Sequence, residues 1–228
     1  MEKRQIFAYE SDINDFNGII PALKAVPQWY KRIPKKVTGK SMDHEHEEDL
    51  VTVKSCVPFL DAFTTGYFMT LGQELLVERT EIGPVIRYKT EPNPTGFRPS
   101  ALTDPMPTPT GYGNEHFVWH TTATVKLPPG YSALYTHPIN RFELPFFTVS
   151  AVVDADTGIP GGNIPFYLKE NFEGIIPKGT PIIQIIPFKR DEWISKKVTG
   201  AIQEARAQQA RGPHDWYRKF GWKRKSFK

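Results

Sequence analysis

Residues 127–188 read LPPGYSALYTHPINRFELPFFTVSAVVDADTGIPGGNIPFYLKENFEGIIPKGTPIIQIIPF. Short runs rich in β-branched and aromatic residues (YSALYTHPI, FFTVSAVVDAD, NIPFYLKE, PIIQIIPF) alternate with Pro and Gly clusters, the pattern of successive strands and turns. Pro129-Gly130 and Pro177-Lys178-Gly179 suit tight turns, where Pro fixes one φ and Gly supplies a positive one. PIIQIIPF is apolar on both faces, as befits a strand in the middle of a sandwich or barrel. This stretch predicts a mainly β protein.

The same texture extends upstream. From Leu50, the runs LVTVKSCVPF, GYFMTL, ELLVERT and PVIRYKT suggest a meander of antiparallel strands, and HFVWHTTATVKL adds more strand before Leu127. Between Pro92 and Pro109 six prolines fall in eighteen residues, with Asn93, Gly96 and Asp104, which predicts a long surface loop. Pro21, Pro27 and Pro34 break the first forty residues, so no long helix runs through them. They predict an extended arm with one helical turn near Ala22 to Ala25, whose Ile19, Ile20, Trp29 and Tyr30 pack on the body or cross onto a neighbouring subunit. At the other end a helix is expected from Asp191, a cap, with Ile194, Val198 and Ile202 recurring every four residues and Gly212-Pro213 as the stop. Gly200 inside it costs about 1 kcal/mol relative to Ala, so that helix relies on docking. The expected organisation is an arm and acidic loop over 1–49, a β body over 50–190, and a helix with a basic aromatic tail over 191–228.

Composition narrows the setting. The chain has 228 residues and a single Cys, Cys56, so an internal disulfide and a Cys-rich zinc site are excluded and a reducing compartment fits. No apolar run reaches the roughly 18 to 20 residues of a membrane span, and MEKRQIF has no apolar region behind its charges. Neither membrane insertion nor secretion by a signal peptide is expected. The net charge of +4 hides an asymmetry: from Lys189 onward twelve Lys or Arg stand against four Asp or Glu, a net +8, leaving −4 for the other 188 residues. Such a tail invites an anionic partner. The acidic knot Asp43 to Asp49 is one candidate mate within an oligomer.

Several residues carry chemistry. His116 and His120 lie four apart on an expected strand and therefore share a face, where with His137 or Asp154 they have the donor types for zinc or iron. HFVWH lacks the Glu of the HExxH motif, and satisfied structural histidines are the expected reading; the same holds for His44 and His46 in the acidic knot. The tail sets Trp216, Tyr217, Phe220, Trp222 and Phe227 among Arg218, Lys219, Lys223, Arg224, Lys225 and Lys228. Rings that stack on bases and cations that pair with phosphates suit nucleic acid over residues 214–228. The same residues anchor protein interfaces, the expected use here. Asp154 and Asp156 end the apolar run VSAVVDAD before a glycine-rich turn. That placement suits a general base or a Mg2+ ligand, and equally a side chain bonding nearby backbone N–H groups.

The order of these motifs resembles the core of the dUTPase and dCTP deaminase superfamily. Pro129-Gly130-Tyr131 matches its turn, Val152-Val153-Asp154-Ala155-Asp156 its hairpin, Lys178 to Ile185 its last element, and Thr65-Gly66-Tyr67 echoes its A-G-Y-D-L strand. The resemblance implies a β-clip fold, a distorted barrel that assembles as a homotrimer, with Asp154 as the water-activating base. This chain departs from the family's catalytic set. His137-Pro138-Ile139-Asn140-Arg141 replaces the phosphate-gripping Pro-Arg-Ser-Ser, Phe68 the metal-associated aspartate, and Thr157 the tyrosine that stacks on deoxyribose; no residue matches the deaminase glutamate. Along nearly its whole length the chain is also similar to a family encoded by tailed bacteriophages and some bacteria, through PxWYKxIP and THPxNR…VVDxD…GTPIxQIIPFKRxxW.

The resulting expectation is a non-catalytic, trimeric phage structural or accessory protein in the virion or host cytoplasm, docking other assembly proteins through its arm and tail, with Tyr131, Asp156 and the tail as binding residues. One alternative is a nucleotide-binding or nucleotide-hydrolysing enzyme using Asp154, Arg141 and His137 with Mg2+. The other is a nucleic-acid-binding accessory protein.

Overall fold

The computed structural model describes residues 7–10, 18–40, 47–98, 106–157, 162–210 and 216–228. In chain order the strands are β1 (Ala8–Glu10), β2 (Ile19–Pro21), β3 (Lys36–Lys40), β4 (Glu47–Val51), β5 (Tyr67–Thr70), β6 (Leu75–Thr80), β7 (Gly83–Arg87), β8 (Thr95–Arg98), β9 (His116–His120), β10 (Thr124–Lys126), β11 (Tyr131–Thr136), β12 (Phe146–Thr148), β13 (Ala151–Val153), β14 (Asn163–Leu168), β15 (Gly174–Ile176) and β16 (Pro181–Lys189). The helices are α1 (Gln28–Arg32), α2 (Val57–Thr64) and α3 (Ala201–Ala210). The protein is mainly β, and among the described residues the strands form open sheets of two to five members, none closed into a barrel. No helix among them is long and apolar enough to cross a membrane.

Two compact units emerge. The first comprises Met1–Pro27, Ala62–Arg190 and Phe227–Lys228. Its largest sheet has the order β13-β11-β16-β5-β2. PIIQIIPF lies in β16, flanked by strands on both sides, and its first five residues are buried. A four-stranded sheet, β12-β14-β9-β8, and a three-stranded one, β15-β6-β7, contribute to the same apolar core. Trp119 on β9 is wholly buried, its ring stacked on Phe166 of β14 at 3.7 Å and edge-on to Phe146 of β12 at 5.0 Å. Gln184 of β16 is equally buried. It donates to the carbonyls of Ala62 and Thr65 at 2.9 and 2.8 Å and accepts from the Ile139 N–H at 2.8 Å. Gly66 has φ +76°, and a Cβ there would fall 2.1 Å from the Ile185 carbonyl oxygen, so only glycine allows β5 to start this close to β16.

The second unit comprises Gln28–Asp61 and Asp191–Ser226. It holds α1, the β3–β4 hairpin and α3. Lys54 reaches the carbonyls of Tyr30 and Lys31 at 2.8 and 3.3 Å with its ammonium 4.3 Å from the Tyr30 ring centroid, which ties residues 52–55 to the end of α1.

Four sequence expectations change. LVTVKSCVPF is strand only to Val51; Thr52 then caps a 3-10 turn by accepting from the Lys54 N–H, and α2 follows. The meander divides, because β5 pairs with β16 and β2 whereas β6 and β7 form a hairpin with β15. The Pro-rich segment contributes an edge strand, β8, which pairs with β9; residues 99–105 lie outside the described residues. The last helix begins at Ala201. Gly200 has φ +88°, incompatible with a right-handed helix interior, and its carbonyl instead accepts from the Gln203 and Glu204 N–H groups at the helix start. Residues 191–198 have no regular structure, with Trp193 and Ile194 88% and 94% exposed; the expected apolar stripe has no surface of its own unit to cover it.

The 3-10 turn of the arm falls at Ala22–Ala25, and β2 just before it adds to the edge of the largest sheet. His44, His46, Gly158 to Gly161 and Gly212-Pro213 lie outside the described residues.

Candidate functional site

The turn before β11 and the end of β16 converge on the acidic end of β13. Pro129-Gly130 makes the expected turn, closed by the Tyr131 N–H to the Pro128 carbonyl at 3.2 Å, with Gly130 at φ +82°. This geometry frees both backbone groups of Gly130. Its N–H donates to Asp156 Oδ2 at 2.9 Å, and its carbonyl accepts from the Arg190 N–H at 2.8 Å. The Arg190 guanidinium then gathers the site. Nη1 reaches the Tyr131 carbonyl (3.2 Å), Ser132 Oγ (3.1 Å), Asp154 Oδ1 (3.2 Å) and Asp156 Oδ1 (3.1 Å), while Nη2 pairs with Asp156 Oδ2. Ser132 donates to Asp154 Oδ1 at 2.6 Å.

The two carboxylates differ. Asp156 is only 12% exposed, whereas Asp154 is 64% exposed. The bond from Arg190, then that from the Gly130 N–H, holds the Asp156 carboxyl below the usual carboxylate range. Chemically this is a clasp in which one guanidinium partly offsets two carboxylates and fastens Arg190, just past β16, to its sheet. Asp154, the sequence candidate for a base, has one oxygen occupied by two donors. Tyr131 contributes its carbonyl and N–H, not its ring, to these bonds.

His137 and Arg141 are not part of it. The β11–β13 register sets Ala133 opposite Val153 and Tyr135 opposite Ala151, so Asp154 lies at the Ser132 end of β11 while His137 follows the other end. Five residues of strand separate them, about 16 Å. His137 Nδ1 accepts from the Thr148 N–H at 3.3 Å, Nε2 lies 3.4 Å from the Arg141 carbonyl, and the ring stacks on Phe147. Burial pushes the His137 pKa down to about 4. Because the fold binds the neutral ring, the unfolded chain takes up the proton first on acidification. Stability is full above about pH 6.5 and is lost as pH falls from there toward 4, a loss of about 3 kcal/mol. An NMR titration is expected to show the His137 ring still neutral at pH 5. Arg141 is nearly buried and engaged with the Ala25 carbonyl at 3.1 Å and with Glu143.

The remaining candidates are dispersed. His116 is buried edge-on against Tyr167 at 4.8 Å, and His120 Nδ1 lies 3.1 Å from the Asn93 carbonyl. No group of three metal-ligating side chains is found among the described residues. In the tail, Tyr217–Gly221 forms a single π turn closed by the Trp222 N–H on the Tyr217 carbonyl. Trp216 packs on Phe220, Trp222 Nε1 donates to Asp61 at 3.0 Å, and Lys225 pairs with the same carboxylate. Tyr217, Arg218, Lys223 and Arg224 are exposed.

Sequence reasoning missed Arg190, Ser132 and Asp61. Arg190 stands in the FKR signature and was legible as charge, but its partners lie 34 to 60 residues away. Compared with models of known protein families and with the sequences of curated proteins, the chain matches none.

Proposed function

We propose that the chain is a non-catalytic structural or accessory protein of phage type, forming a homotrimer and docking other assembly proteins through its arm and the segment after Arg190. The observation that carries this reading is the exposure of Trp193, Ile194, Val198 and Ile202 beside Lys196 and Lys197. Monomeric proteins rarely leave such residues together in water, whereas aromatic and apolar anchors rimmed by cations are the usual core of an interface. A second feature speaks against the enzyme alternative. The one carboxylate that the dUTPase-like resemblance makes a base is bonded to Arg190 and Ser132 and lies about 16 Å of strand away from His137. A base activates water usefully only where the developing charge on its substrate is also stabilised.

Sedimentation equilibrium of the full chain tests the reading. Three copies of the 26.0 kDa chain are expected, and a 26.0 kDa species across the accessible concentration range overturns it.

A further inference from the structure

The last residues of the chain return to the first unit at one aromatic site. Tyr67, which opens β5, is stacked by Phe7 at a centroid distance of 3.9 Å and 22° between planes. Phe227 meets the same ring edge-on at 5.9 Å, and the Tyr67 hydroxyl donates to the Lys228 carbonyl at 3.4 Å. Residues 227–228 belong to the first unit, while the 36 residues before them, 191–226, belong to the second. Within that second unit the same tail makes its own contact, Trp222 and Lys225 on Asp61.

We infer that these contacts are made between copies: the tail of one chain seats Phe227 against Tyr67, and Trp222 against Asp61, of a second copy of this chain. Both contacts need only that the tail arrive, and nothing in their chemistry distinguishes its own chain from another. The segment that leads to them decides the matter. Residues 191–200 carry no helix or strand and are exposed throughout, which is the character of a hinge that exchanges an element between protomers. In a lone chain that hinge leaves Trp193, Ile194 and Val198 in water. In an exchanged assembly the hinges of neighbouring copies are brought together, which gives the same apolar residues a surface to pack on. Exchange thus satisfies every tail contact present in the single chain and offers the burial it lacks, a gain that works against the effective-concentration advantage of the same-chain contact. This inference rests on the assembly reading above and names the partner that reading requires.

The test mixes two variants of the full chain. One has a spoiled tail, Trp222→Ala with Phe227→Asp; the other has spoiled seats, Asp61→Asn with Tyr67→Ala. Each alone is expected to sediment as a 26.0 kDa monomer, and the equimolar mixture to give a species of twice that mass, because one intact tail meets one intact set of seats. A mixture that stays monomeric overturns the inference. So does a spoiled-tail variant that keeps the wild-type oligomeric mass, but that result leaves the assembly reading standing. Conversely, deoxynucleotide turnover by the wild type defeats the non-catalytic reading without touching the exchange. Should the spoiled-seat variant fail to fold, a fluorescent peptide of residues 216–228 replaces the mixture. It is expected to bind the spoiled-tail chain at least tenfold more tightly than it binds wild type and, in excess, to convert wild-type oligomers to 26.0 kDa chains as it displaces tails held between copies; equal binding, or displacement with no change in mass, overturns the inference.

Discussion

Replacing Trp119 with Ala is expected to lower the unfolding free energy by about 4 kcal/mol, a large share of the 5–15 kcal/mol typical of a domain. The side chain is wholly buried, stacked on Phe166 and edge-on to Phe146, so truncation removes most of a bicyclic ring from the middle of the core and leaves a cavity that two rigid aromatic neighbours cannot fill. The indole N–H also donates to Thr148 Oγ1 at 3.0 Å, and that hydroxyl donates onward to the Ile182 carbonyl at 2.7 Å, linking β9, β12 and β16. Trp119→Phe retains a ring in the stack and loses the donor, for a smaller cost of about 2 kcal/mol. Urea melts give both values. Midpoints should fall in the order wild type, Phe, Ala with the slope unchanged; equal midpoints for the two variants would show that the stack contributes little.

Gln184→Leu is expected to cost nearly as much, about 4 kcal/mol, for the opposite reason. Leucine is the more apolar side chain and fits the run PIIQIIPF better by pattern. Yet Gln184, itself fully buried, bonds two carbonyls, of Ala62 and Thr65, and one N–H, of Ile139. Removing its amide takes a partner from three backbone groups beside a fully buried side chain, at about 1–3 kcal/mol for each one left unsatisfied, against a gain of about 1 kcal/mol from burying more hydrocarbon. A melt in which Gln184→Leu is as stable as the wild type would mean that water reaches those groups.

These two positions show what the sequence made legible. The alternation around Trp119 and the unbroken apolar run of β16 announce strands, and Pro-Gly pairs announce turns, because those features depend on residues close together in the chain. Gln184 reads in the sequence as a lone polar interruption; its purpose depends on residues 45 to 122 positions away. The same limit applies at the clasp. VVDAD and PPG are visible as a strand end and a turn, but the bond expected of a turn Asp, to N–H groups just ahead of it, is not the one formed: Asp156 accepts from Gly130, 26 residues earlier. Arg190, which converts them into a closed ion pair, was visible only as one of twelve tail cations. The helix expected from Asp191 failed for a related reason. Its four-residue period is present, but Gly200 adopts a conformation no helix interior accepts, and nothing within its own unit covers Trp193 and Ile194.

The distinction between a clasp and a catalytic base at Asp154 is the point on which the account turns. The most direct measurement is product formation from a panel of deoxynucleoside triphosphates by the purified full chain with Mg2+, alongside Asp154→Asn. Wild type and variant are expected to be indistinguishable from the enzyme-free blank. Hydrolysis or deamination by the wild type that Asp154→Asn abolishes would contradict the account.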